Sequence, residues 1–160
     1  MKIYSKICLL SALLISSNLS AQTTSLSLGG INHDIDLPIE MTANNLSIIQ
    51  SSNSAIFEGS AYVAQGSLRL SADKIEVIYD QETNEVTTIE ATGNVLFTNG
   101  EDIAEAKNAI YKTNDGLLGM TGDVMLIQGK STISGDALEM NILENTANFS
   151  GNVKTTLAPN

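Results

Sequence analysis

The feature that most constrains this chain is a pair of glycines, seven residues apart, that recurs along it. Gly59 and Gly66, Gly93 and Gly100, and Gly122 and Gly129 share that interval. A fourth copy starts at Gly151, and the first glycines of the copies are spaced 34, 29 and 29. The flanks keep the same register. Phe57, Ala91, Met120 and Phe149 stand two before the first glycine. Ala61, Val95, Val124 and Val153 stand two after it, and Val63, Phe97, Leu126 and Thr155 four after it. The residue just after the glycine is always small and polar: Ser60, Asn94, Asp123 or Asn152. A second block repeats alongside, starting at Ala43, Ala72, Ala106 and Gly135.

Apolar residues at −2, +2 and +4 alternate with a period of two, which is the signature of a strand with one buried face. Glycine followed by Asn, Asp or Ser is turn or bulge chemistry. The apolar parity of Leu68, Leu70 and Ala72 shifts to Ile75, Val77 and Tyr79, which predicts a bulge or corner at Asp73–Lys74. The five extra residues of one copy fall near the polar turn Asp80–Glu85. Glu101–Ala109 is rich in helix formers, but the repeat aligns it with Ser67–Ile75 and Lys130–Leu138, and we assign it to a strand. Both prolines, Pro38 and Pro159, flank the array, where an all-β repeat tolerates a residue lacking the ladder donor. The expected architecture is all-β, a jelly roll or roll-like sandwich of repeated short antiparallel strands over an aliphatic interior. Periodicity alone leaves open whether that interior is filled or is an open trough.

The first 21 residues read as a secretory signal, outside the fold. Lys2 and Lys6 precede an apolar run, Ile7–Ile15, and a small polar stretch ending at Ala21. Residues 22–36 read as a mobile leader and 37–158 as the β domain. Removing the signal takes two lysines and no acid, so the net charge moves from −10 to −12. That acidity excludes a nucleic-acid surface, which needs clustered Lys and Arg. It also predicts that ligand binding changes little with salt. Cys8, the only cysteine, leaves with the signal, so neither a disulfide nor a cysteine ligand is expected. His33, the only histidine, sits in the leader, away from any rigid element. No nucleophile–base constellation, phosphate loop, metal site or cofactor is expected. Asp80, Glu82 and Glu85 lack the spacing of a calcium loop.

Several stretches resemble the periplasmic LptA/OstA-like proteins of lipopolysaccharide export. Residues 36–44 (DLPIEMTAN) are similar to the family's opening strand. Residues 57–77 (FEGSAYVAQGSLRLSADKIEV) carry its most recognisable stretch, and residues 118–124 and 152–159 resemble its later strands. The resemblance spans 36–159. It implies a twisted β-jellyroll in the periplasm that binds the acyl chains of lipopolysaccharide. It also implies a bridge between an inner-membrane LptC-like component and an outer-membrane LptD-like component. The expected lipid-facing residues are Ile39, Met41, Phe57, Val63, Leu68, Leu70, Ile75, Val77, Val95, Phe97, Val124, Leu126, Leu138, Met140 and Phe149.

Edge chemistry adds an expectation about assembly. The first strand, near Ile39–Ile49, and the last, near Phe149–Leu157, carry few of the charges or prolines that defend sheet edges. Ile39 and Met41 at one end, and Val153 and Thr155 at the other, are the expected contacts of a head-to-tail self-association. The rival readings are a secreted structural repeat with a dry core, which has no room for lipid, and a polysaccharide-active enzyme. The enzyme would need carboxylates in register on successive strands, and the repeat has none.

Overall fold

The computed structural model describes residues Leu37–Leu157. The expected signal segment, the leader with His33, and Pro159 lie outside them. The described chain forms β1 (Glu40–Thr42), β2 (Asn45–Ile49), a 3₁₀ turn at Gln50–Ser52, β3 (Ser54–Gln65), β4 (Leu68–Tyr79) and β5 (Val86–Asn99). It continues with β6 (Asp102–Lys112), β7 (Leu117–Gln128), β8 (Ser131–Asn141), β9 (Thr146–Ser150) and β10 (Lys154–Thr156). All ten strands belong to one open antiparallel sheet. From β3 to β8 it is an uninterrupted meander, with β1 and β2 both on β3 and with β9 and β10 both on β8. The segment of helix-forming composition lies in β6, paired on both sides.

The repeated glycines create two kinds of bend. The first glycine of each pair and the residue after it are both left-handed: Gly93 at φ +79° with Asn94 at +47°, and Gly122 at +86° with Asp123 at +53°. Two successive left-handed residues interrupt the ladder. Pairing skips between Glu58 and Ala61, Ser71 and Lys74, Thr92 and Val95, Glu105 and Asn108, and Thr121 and Val124. These skips fall beside one another across the sheet, so every long strand turns a corner at the same level. The parity shift in β4 is one of them. The second glycines, Gly66, Gly100 and Gly129, have φ between +56° and +61° and open the two-residue turns of the three hairpins β3–β4, β5–β6 and β7–β8.

The corner line divides the sheet into two layers. The first contains β2, the start of β3, the end of β4 and their neighbours through to β9. The second contains β1, the end of β3, the start of β4 and their neighbours through to β10. Apolar side chains from the two layers meet in one continuous core.

Two expected boundaries differ. The first strand is split at Ala43–Asn44 into β1 and β2, and Ile39 precedes β1. The last is split at Gly151–Val153 into β9 and β10, so Val153 lies between strands and is half exposed. The reason is the corner line itself, which cuts the edge strands at the level where it bends the inner ones. There the backbone N–H groups of Asn44 and Asp136 donate to the carbonyls of Gly59 and Gly151.

Candidate functional site

Strand pairing turns the alternation into rows that run across the sheet. In the first layer, Phe57, Ile75, Ala91, Ala109, Met120, Leu138 and Phe149 are successive cross-strand partners. A parallel row runs Ala55, Val77, Ile89, Tyr111, Leu118, Met140 and Ala147. In the second layer the row is Met41, Val63, Leu70, Phe97, Ala104, Leu126, Ile133 and Thr155. Directly opposed residues point to the same face, so each row is a mainly apolar stripe on the inner surface.

Of the expected lipid-facing residues, Val63, Leu68, Leu70, Ile75, Val77, Val95, Phe97, Val124, Leu126, Leu138 and Met140 are buried. Ile39, Met41, Phe57 and Phe149 are half-buried against them. All lie on the inner surface. The expected set left out Ile89, Tyr111, Leu118, Met120, Ile133, Ile142 and the inward alanines 61, 72, 91, 104 and 109. Ile89, Leu118 and Ile133 alternate like the rest. Their signal was there, but they fall outside the glycine-anchored offsets.

The layers are closely packed in the middle. A small cavity of about 20 Å³ remains, walled by Ile39, Val63, Leu68, Leu70 and Phe97 of one layer and Ile89, Tyr111 and Leu118 of the other. That is room for about one water. The interior is looser at its ends. Leu46 and Ile48 of β2 face the same side as Phe57 and Ala55, yet they are 55% and 72% exposed. A groove of about 580 Å³ opens between Leu37, Ile39 and Met41 on one side and Tyr79, Val86 and Thr113 on the other.

Few polar groups enter this interior. Gln65 is buried and its Nε2 donates to the Leu37 carbonyl at 3.0 Å. Buried Asn99 accepts from Ser67 Oγ at 2.7 Å. Burial pushes the Tyr111 hydroxyl up to about 12. The charged groups lie outside, along the corner line. Asn94 Nδ2 donates to Asp73 at 2.8 Å and Asn152 Nδ2 to Asp136 at 2.9 Å, while Lys107 donates to Asp123. That lysine bond, with the lysine's charge, holds the Asp123 carboxyl below the usual carboxylate range.

The acidic turn after β4 is structural. Asp80 Oδ1 accepts the backbone N–H groups of Glu82 and Thr83, bonds that lower its pKa. Among the described residues, no three His, Cys, Asp or Glu side chains are grouped to hold a metal ion. No helix among them is long and apolar enough to cross a membrane. The described residues together offer a lengthwise apolar interior.

Comparison with known proteins places these features in context. Residues 40–146 match the family model described as the LptA/(LptD N-terminal domain) LPS transport protein. An uncharacterized protein of Rhizobium meliloti (strain 1021) is 30% identical over 139 residues, which cover 82% of this chain and 75% of that protein. The fold is similar to the crystal structure of LptH, the LptA homologous periplasmic component of the conserved lipopolysaccharide transport device from Pseudomonas aeruginosa. That superposition has a TM-score of 0.73 at 14% identity and covers 79% of this chain and 99% of LptH.

Proposed function

Because this chain belongs to the LptA/LptD N-terminal family of lipopolysaccharide transport proteins, we propose that it carries lipopolysaccharide by holding acyl chains between its two layers. The family's work is transport, not catalysis, and a role in lipopolysaccharide transport follows from membership. The single observation that carries the finer reading is the set of apolar rows that cross the sheet, from Phe57 to Phe149 in the first layer and from Met41 to Ile133 in the second. Each methylene removed from water contributes roughly 0.8 kcal/mol, so a few acyl chains provide ample affinity without any charged clamp. The packed middle means that lipid enters by parting the layers, starting from the looser ends.

In this reading the signal segment exports the chain to the periplasm, where it bridges an LptC-like partner and an LptD-like partner through copies of itself. The sheet ends support the bridge. Among the described residues, β1 and β2 bond only to β3, and β9 and β10 only to β8, so each end of the described sheet presents an edge. The two edges match in length, with β2 and β9 of 5 residues each in the first layer and β1 and β10 of 3 each in the second. Strand direction also matches. The β1–β2 edge runs from the second layer to the first and the β9–β10 edge runs the opposite way, so stacking one on the other continues the antiparallel order. The rows then join end to end into one track. Met41 and Thr155 are strand residues of the two edges. Ile39 and Val153 sit just outside the strands.

A bridge is needed in stoichiometric amounts. Depleting the protein should therefore leave newly made lipopolysaccharide on the inner-membrane side, in proportion to the depletion. Normal surface lipopolysaccharide in depleted cells would instead favour a structural module with a permanently dry core.

A further inference from the structure

Gly119 has no duty in the fold. Of the described glycines, eight have positive φ, and a Cβ at Gly135 would crowd the carbonyls of Ser150 and Gly151 at 3.2 Å. Gly119 has an ordinary strand conformation, and nothing lies within 4 Å of where its Cβ would be. A glycine inside a strand weakens it. Where the fold does not require one, it often marks a place where another molecule comes close to the backbone. Pairing sets Gly119 on the outer face of the first layer, between Ile110 of β6 and Glu139 of β8. The neighbouring outer row is Lys112, Leu117, Asn141 and Thr146. The two rows line a trough of about 590 Å³, a volume in the range of ligand sites. Ile110 and Leu117 are 47% and 40% exposed, so two large aliphatic side chains flank the bare backbone of Gly119.

Electrostatics selects the occupant. Glu139 and Glu144 line the trough, Glu90 is the cross-strand partner of Ile110, and all three are exposed. Lys112 is the one cation of the lining. The ion pairs of the described residues, Lys74 with Glu76 and Lys107 with Asp123, lie elsewhere and neutralise none of the three. An anionic lipid headgroup would meet like charge here, and so would a second copy of this chain, whose net charge is −10. We propose that the trough docks an extended peptide segment of another protein, rich in lysine or arginine and carrying a large apolar side chain. That side chain packs on Gly119 between Ile110 and Leu117, and the flanking cations pair with Glu139 and Glu144. Thr146 and Asn148, exposed on β9, supply polar groups for the peptide main chain. The trough faces away from the inner rows, so the proposal goes beyond the transport reading and stands without it.

The test uses the whole exported chain and a capped seven-residue peptide that alternates lysine with leucine, with binding read by fluorescence anisotropy. The parent should bind it, and binding should weaken at high salt. Gly119→Ile fills the notch. It should lower affinity at least tenfold without lowering the urea midpoint, because the trough has room for the side chain. Glu139→Lys with Glu144→Lys should lower affinity at least tenfold, and Lys112→Glu should raise it several-fold. Amide shifts on titration should centre on Ile110, Gly119 and Glu139. Failure of the parent to bind the peptide would overturn the proposal, as would equal binding of a glutamate–leucine or a lysine–serine peptide. Unchanged affinity in Gly119→Ile, or shifts confined to buried interior residues such as Ile89 and Leu138, would also overturn it. Self-association lost in Gly119→Ile with peptide binding retained would assign the face to a second copy and overturn the peptide.

Discussion

Gly122 and Gly119 lie three residues apart in β7 and have opposite duties. Gly122 has φ +86°, and a Cβ there would sit 2.8 Å from the Lys107 Cβ. Gly119 has an ordinary strand conformation and open space around it. Gly122→Ala should therefore destabilise the fold by about 1–3 kcal/mol. Gly119→Ala should be neutral or stabilising by up to about 1 kcal/mol, because it restrains the unfolded chain. Urea unfolding of the two variants checks both values, and equal effects would mean that the corner is not under conformational demand. Tyr111 supplies a second residue-level test. Its hydroxyl is pushed up to about 12 in the folded state, against an ordinary value near 10. The folded state thus disfavours the phenolate, and Tyr111 contributes stability that is fully present below pH 10 and lost as pH rises through about 12. Alkaline unfolding curves should show this loss in the parent and a smaller one in Tyr111→Phe.

At the scale of elements, the repeat register was the legible part of the sequence. The glycine pairs anticipate both the corners and the two-residue turns, and their alignment places β6 as a strand despite its helix-forming composition. That composition loses because β6 is paired on both flanks and buries Ala104, Ala109 and Tyr111. The split edge strands were harder to see. β1 and β2 part at Asn44, whose corner glycine is not its chain neighbour but Gly59, across the sheet. A corner made by two strands is invisible in the pattern of one. Ile89 and Leu118, by contrast, each stand four residues before a repeat glycine and were legible in the alternation, one step outside the offsets that anchor the register. Edges also carry the assembly prediction. The protein should form concentration-dependent oligomers, weakened by deleting residues 153–160 or by Thr155→Pro, which disrupts β10. Sedimentation velocity over a concentration series checks this, and a parent chain that remains monomeric throughout would contradict it.

At the scale of the molecule, one sheet folded along a line of corners produces an apolar interior with charge kept to the outside. The apolar rows run perpendicular to the strands, so in the proposed bridge each added copy would lengthen the interior and leave its cross-section unchanged. A carrier of lipid over distance needs that property, and an isolated dry-cored module does not. The interior side chains hold the two layers together when no lipid is present, and the same side chains would line the passage when it is. The most direct measurement is photocrosslinking in living cells from a photoreactive residue placed at inner positions Phe97 or Leu126, compared with outward-facing Lys112. The account predicts adducts with lipopolysaccharide from Phe97 and Leu126 and none from Lys112. Equal labelling from all three, or none from any, would contradict it.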